Sequence, residues 1–170
     1  MGLEGLAAAL NRNGVRYVVI GVAGANYWAL SGHTVFTTQD YDLFLPPDPA
    51  NALRAWQAAE SLGLDLYRGD EPLDRPRDLT LAEGVVQRRA LVRATDGRGF
   101  DVDFTLEMAG CDFEPVFARR RSFLVESIPI PVARLRDIVA SKAAVGREKD
   151  RLFLAAHAEA LRSLIEKEPD

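Results

Sequence analysis

The chain has 170 residues, 48% of them hydrophobic and 27% charged, with a formal net charge of −4. That length suits one domain with a sizeable core, and the acidic balance weighs against generic coating of nucleic acid while leaving room for a local basic patch. Cys111 has no second cysteine to pair with, and two separated histidines beside it weigh against structural zinc. With no basic leader region and no apolar run of bilayer length, a soluble cytoplasmic protein is expected.

Leu3, Leu6, Ala7 and Leu10 fall at helical spacing, and Asn13-Gly14 closes that predicted helix. Tyr17 to Ile20 reads as a short buried strand. Gly21-Val22-Ala23-Gly24 reads as the turn into a second helix that runs to about Leu30 and closes at Ser31-Gly32. A strand over Thr37–Leu45 stops at Pro46-Pro47. Asp48 or Pro49 opens a third helix ending at Gly63, and Arg68 to Arg77 reads as a surface loop. Val85–Ala94 and Phe100–Leu106 are predicted strands joined at Asp96-Gly97, a hairpin signal. A short helix over Phe113–Phe117 and a strand over Ser122–Glu126 follow. Pro129 and Pro131 then mark the entry to two closing helices, about Val132–Val145 and Arg147–Ile165. The pattern predicts an α/β (α+β) fold with a mixed sheet flanked by helices; the hairpin excludes an all-parallel sheet. The expected organisation is one unit over 1–170, with a core at about 15–126 and closing helices at about 132–166.

Asp40 and Asp42 carry the most information. Side chains alternate along a strand, so a spacing of two puts both carboxylates on one face, with Tyr41, Leu43 and Leu45 on the other. Two aligned negative charges repel and raise each other's pKa, a conflict that a divalent cation with hard oxygen ligands, such as Mg2+, resolves. A second strand repeats the arrangement: Asp101 and Asp103 share one face, and Phe100, Val102, Phe104 and Leu106 share the other. If the strands are neighbours, three carboxylates converge on one or two metal ions, as in phosphoryl and nucleotidyl transfer. The competing reading is a polar outer face on each of two half-solvated strands. Its weight falls when the pattern occurs twice.

Three other features accompany the acids. The strand–Gly21–helix junction suits phosphate, because glycine lets the backbone approach and a helix N-terminus offers free N–H groups. Lys142 continues the apolar stripe of Leu135, Ile138 and Val139, so it either reaches an anion in a cleft or packs its stem and sends its ammonium to water. Arg147 and Arg151 are one helical turn apart. The Arg119-Arg120-Arg121 triplet reads as solvated surface, and His33 and His157 as structural or surface residues.

The order of strand, Gly21, helix, Asp-x-Asp strand, later Asp strand and a helix bearing Ser141-Lys142 resembles the nucleotidyltransferase superfamily of the polymerase-β type. The likeness is greatest to small bacterial members from abortive-infection and toxin–antitoxin systems. It extends from Tyr17 to about Leu154 and rests mainly on Thr38–Leu43 and on Leu135–Lys142 with Gly146–Asp150. The resemblance implies Asp40, Asp42 and Asp103 as catalytic metal ligands, with Asp101 an additional acid, and Mg2+ or Mn2+ as cofactor. It also implies Gly21, Val22, Lys142 and Arg147 as nucleotide-binding residues. The implied reaction moves a nucleoside monophosphate from a nucleoside triphosphate, ATP among the candidates, to a hydroxyl of an RNA end, protein or small molecule. A partner protein or a homodimer is expected to complete the acceptor surface, and no membrane is involved.

The chain departs from that family at two places. Gly21-Val22 stands where Gly-Gly or Gly-Ser is usual, and Val35-Phe36 stands where a basic residue is common. A second reading is therefore a partner-binding or antitoxin module of the same fold without turnover. A dinucleotide-binding reading of Gly21 to Asp40 fails the G-x-G-x-x-G spacing and leaves Asp42 and Asp103 unexplained.

Overall fold

The computed structural model describes residues 1–29, 36 and 40–168. Helix α1 (Leu3–Arg12) buries Leu3, Leu6, Ala7 and Leu10. Strand β1 (Val18–Ile20) is buried along its whole length and runs directly into helix α2 (Gly21–Ala29). Val22 to Gly24 therefore lie within the helix, and the expected four-residue turn shrinks to one residue. Gly21 alone makes the turn, at φ +69, and Gly24 lies so close to Val19 that a Cβ there would stand 2.9 Å from the Val19 carbonyl oxygen. The expected end of this helix at Leu30–Gly32 and the first residues of the next strand, Thr37–Gln39, lie outside the described residues.

Strand β2 (Asp40–Phe44) leads to helix α3 (Pro49–Ser61), where Asp48 caps the N-terminus by accepting from the Ala50 amide. Two corrections to the sequence reading follow. Part of the expected Arg68–Arg77 loop is a small hairpin, β3 (Asp65–Arg68) with β4 (Glu71–Pro72). Val85 is helical: α4 (Leu79–Gln87) starts on an Asp78 cap whose carboxylate accepts from the Leu81 amide. Ala82 and Val85, three apart, both turn inward. Only β5 (Val92–Thr95) remains as the first arm of the hairpin with β6 (Asp101–Thr105).

Helix α5 (Phe113–Ala118) precedes β7 (Arg121–Val125), and β7 pairs with β8 (Ile128–Val132). The expected helix start at Val132 is thus corrected to a strand followed by α6 (Leu135–Val145). Proline donates no ladder hydrogen bond, yet Pro129 and Pro131 are accommodated because β1 is in register with β8 at Val132 alone. The last predicted helix is two, α7 (Glu148–Ala156) and α8 (Ala158–Glu166), broken at His157.

The strands make one mixed sheet in the order β4-β3-β5-β6-β2-β1-β8-β7. The β2–β6 and β1–β8 pairs are parallel and the others antiparallel. Helices α1, α3 and α4 pack in series, while α2 packs on α6 and α6 contacts both α7 and α8. Buried Asn51 ties α3 to the start of β1 by bonding both the amide and the carbonyl of Arg16. Glu168, also buried, accepts from the Leu135 amide and from Arg136, so the chain returns to cap the start of α6. Among the described residues no helix is long and apolar enough to cross a membrane.

Candidate active site

Parallel pairing of β2 with β6 sets Asp40 beside Asp101 and Asp42 beside Asp103. The two Asp-x-Asp patterns are therefore in register on adjacent central strands, with their carboxylates on one face and Leu43, Val102 and Phe104 buried on the other. On its other side Asp42 is in register with Ile20, the last residue of β1. The chain enters α2 at that point, which brings Gly21 against Asp42: a Cβ on Gly21 would stand 2.8 Å from Asp42 Oδ2. Left-handed backbone and close approach both call for glycine here. The amides of the first turn of α2 have no partner within the helix, so its N-terminus opens beside the carboxylate.

Burial, with the charges of Asp103 and Asp40, pushes the Asp42 carboxyl above its ordinary pKa, and Lys142 and Lys149 draw it only part of the way back. Asp103 has a different environment. Arg93, its direct cross-strand partner on β5, donates from Nε to Oδ1 at 2.7 Å and from Nη2 to Oδ2 at 3.0 Å. That fork, reinforced by the charges of Asp103, Asp101 and Asp40, holds the Arg93 guanidinium still more firmly protonated.

A cleft of ≈ 940 Å³ opens on Asp42 and Gly21, with Ser141, Lys142, Arg147 and Asp150 among its other lining residues. Gly146, left-handed at φ 65, ends α6 and turns the chain into α7. The turn sets Asp150 against Lys142 (Nζ to Oδ1, 3.4 Å) and Arg147 (Nε to Oδ2, 2.7 Å). Asp150 is 1% exposed. Its burial alone would raise its pKa, but the Arg147 hydrogen bond and the Lys142 charge prevail and hold it below the ordinary value. Lys142 thus lines the cleft with its ammonium on an acid and over the Phe153 ring, rather than escaping to water.

The structure therefore brings Gly21, Asp42, Lys142 and Arg147 to one cleft, and it aligns Asp40, Asp101 and Asp103 on the adjoining strand face. Val22 is placed otherwise: its side chain packs against the core. Phe36, where a basic residue is common in the resembled family, is buried against Phe153 and His157. His157 packs its ring against Phe36 and Phe153, while His33 and Val35 lie outside the described residues. Arg93 and Asp150 were not singled out from the sequence. Arg93 carried no signal in the sequence, because a two-residue turn at Asp96-Gly97 would set it opposite Phe100 and not Asp103; for Asp150 the signal was an acid one turn from Arg147 amid basic residues.

No family model matches the chain, and no curated protein matches it. Among the described residues, no three His, Cys, Asp or Glu side chains gather as a metal-binding group. Asp103 in particular has both oxygens turned to Arg93. The donor chemistry of Asp40 and Asp42 nonetheless fits a hard divalent cation: two carboxylates share a strand face, and the charge on half-buried Asp42 is opposed by burial and by its neighbours.

Proposed function

We propose that the cleft is the active site of a divalent-metal-dependent nucleotidyltransferase. The observation that carries this reading is that one cleft is lined by unlike groups: Asp42 beside the glycine-opened start of α2, and Lys142 and Arg147 held together on Asp150. Acids on one side and fixed cations on the other are what a metal-bound polyphosphate requires. Asp40 and Asp42 are the residues that hold Mg2+ or Mn2+, which when bound screens charge on the phosphate oxygens. Lys142 and Arg147 neutralise the outer phosphates, and the first amides of α2 at Gly21 bond them.

In the transfer the acceptor hydroxyl oxygen forms a bond to the α-phosphorus of a nucleoside triphosphate. The bond from that phosphorus to the oxygen bridging to the β-phosphate breaks, its electron pair leaves with pyrophosphate, and the hydroxyl proton passes to water. Alignment and fixed charge do the work, without a covalent enzyme intermediate. The acceptor is a hydroxyl of an RNA end, a protein or a small molecule. A partner protein or second copy completes its surface, and a cytoplasmic setting is in keeping with the free thiol of Cys111.

One observation favours a second reading. Arg93 engages both oxygens of Asp103. A cleft in which the third carboxylate is so occupied suits a partner-binding or antitoxin module that binds nucleotide without turning it over. Incubation of the protein with each α-labelled nucleoside triphosphate, Mn2+ or Mg2+, and bacterial RNA and protein separates the two. The nucleotidyltransferase reading expects label in a macromolecular acceptor with wild type and none with Asp40→Ala/Asp42→Ala. Triphosphate binding without label from folded wild type supports the module.

A further inference from the structure

The sheet ends in two unlike edges. One is β4, two residues long and closed by Pro72, which has no N–H to offer. The other is β7, five residues long, and it bears Leu124, at 75% exposure the most exposed large apolar side chain among the described residues. β7 pairs with β8 from Arg121↔Val132 to Val125↔Ile128 without a bulge. The turn between them is Glu126-Ser127, both left-handed at φ 51 and 67. A two-residue turn of this kind is closed by the residues that flank it. Val125, Phe123 and Arg121 therefore bond β8, and Ser122 and Leu124 turn their N–H and C=O groups to the open edge. Pro129 and Pro131 fit the same alternation, since their nitrogens fall on the side of β8 away from β7. Native edges are blunted against other chains by charge, proline, a bulge or shortness; Ser122 to Val125 have no such device.

The two ends of this edge are oppositely charged. Arg119, Arg120 and Arg121 precede the open stretch and Glu126 follows it. Asp137 engages Arg119, whereas Arg120 and Arg121 lie over the Phe117 and Phe123 rings and have no ion pair among the described residues. We propose that β7 is a homodimer interface, at which two copies pair their β7 edges antiparallel about Phe123 into one continuous sheet. Ser122 of each copy then lies opposite Leu124 of the other, the pair whose backbone groups point outward, and the arrangement is two-fold symmetric. Arg120 of each copy comes opposite Glu126 of the other. The Arg120 N–H is already given to the Phe117 carbonyl, so the ladder stops there and the side chain alone makes that contact. Parallel pairing would instead set like ends together. A contact confined to one short edge lies at the small end of interface sizes, so the dimer depends on concentration. It is independent of the chemistry of the cleft.

The test is sedimentation equilibrium of the full chain over about a hundredfold range of concentration, with circular dichroism to show that each variant is folded. Wild type is expected to pass from monomer to dimer as concentration rises. Leu124→Lys is expected to stay monomeric and folded, because the side chain it replaces is exposed. Glu126→Lys and Arg120→Glu should each weaken the dimer at least about threefold, by setting like charges opposite one another. An equimolar mixture of those two variants should recover it, because opposite charges then meet at both ends. Wild type that stays monomeric over the whole range would overturn the proposal and leave the edge to a strand of another protein. A dimer that survives Leu124→Lys would overturn it by placing the contact on another surface. A mixture of the charge variants no tighter than either alone would overturn the antiparallel register.

Discussion

The two walls of the cleft are built on opposite plans. On the strand side, acids of like charge are aligned by sheet register, and Arg93 pins Asp103. On the helical wall, two cations converge on a single acid, Asp150. The pinning groups differ in burial: the Arg93 side chain is 41% exposed, that of Asp150 1%. What decides the cost of removing either one is the burial of the groups it leaves behind: the side chain of Asp103 is 12% exposed, those of Lys142 and Arg147 15% and 58%. On the helical wall both cations are already paired with Asp150, while Asp42 on the strand side keeps like charges as neighbours, offset only in part by Lys142 and Lys149.

The largest effect that sharpens this contrast is expected from Asp150→Ala, which releases Lys142 and Arg147 together. It should cost about 2–4 kcal/mol by chemical denaturation, short of the loss for a fully buried pair because Arg147 remains largely solvated. The pH dependence has a defined sign. The Asp150 pKa is depressed in the folded state, so its contribution is present above the unfolded value and is lost as pH falls below about 4. The Asp150→Asn variant should accordingly lose less stability than wild type on acidification over that range; an unchanged acid profile would detach Asp150 from the clamp.

Gly21→Ala comes next. The left-handed backbone alone costs about 1–2 kcal/mol, and the added methyl meets Asp42 Oδ2. Weakened Mn2+ binding is expected alongside the lower melting temperature, and a variant with wild-type ion affinity would show that Asp42 does not depend on that glycine. Arg93→Gln should cost about 1–3 kcal/mol, because it strands the nearly buried Asp103 beside Asp42, and no detectable loss would show that water reaches Asp103 instead. The smallest effect has the opposite sign. Asp42→Asn removes a like-charge cross-strand contact with Asp103 and should stabilise the metal-free protein, by under about 1 kcal/mol. For Asp42 the folded pKa is raised, so its ionisation opposes folding as pH rises through that value; the gain in the Asn variant should appear at neutral pH and vanish in acid. Clear destabilisation at neutral pH would assign Asp42 a structural role.

The alternation of Asp40, Asp42, Asp101 and Asp103 with apolar neighbours was legible in the sequence, because period two depends on local geometry alone. So were the mixed sheet, the glycine at the start of α2 and the lysine on the inner row of α6. Long-range register was not. A two-residue turn at Asp96-Gly97 would pair Arg93 with Phe100, whereas the loop actually closes from the Asp96 amide to the Phe100 carbonyl and pairs Arg93 with Asp103. The ion pair at the heart of the strand wall thus depends on three residues of loop length. β8 was concealed by Pro129 and Pro131, which read as breakers and are tolerated only because β1 reaches so little of that strand. Val85-Val86 read as strand because β-branched pairs favour strands; the Asp78 cap and the inward spacing of Ala82 and Val85 outweigh that preference. Asp150 was hidden among charged neighbours, its burial following from the turn at Gly146.

The most direct measurement is calorimetric binding of a non-hydrolysable nucleoside triphosphate and of the matching monophosphate to wild type and Asp40→Ala/Asp42→Ala, with and without Mg2+. The expected result is triphosphate binding that needs Mg2+, exceeds monophosphate binding by at least about tenfold, or about 1.4 kcal/mol, and disappears in the double variant. Binding of both nucleotides with equal affinity, indifferent to Mg2+ and to the two aspartates, would contradict it.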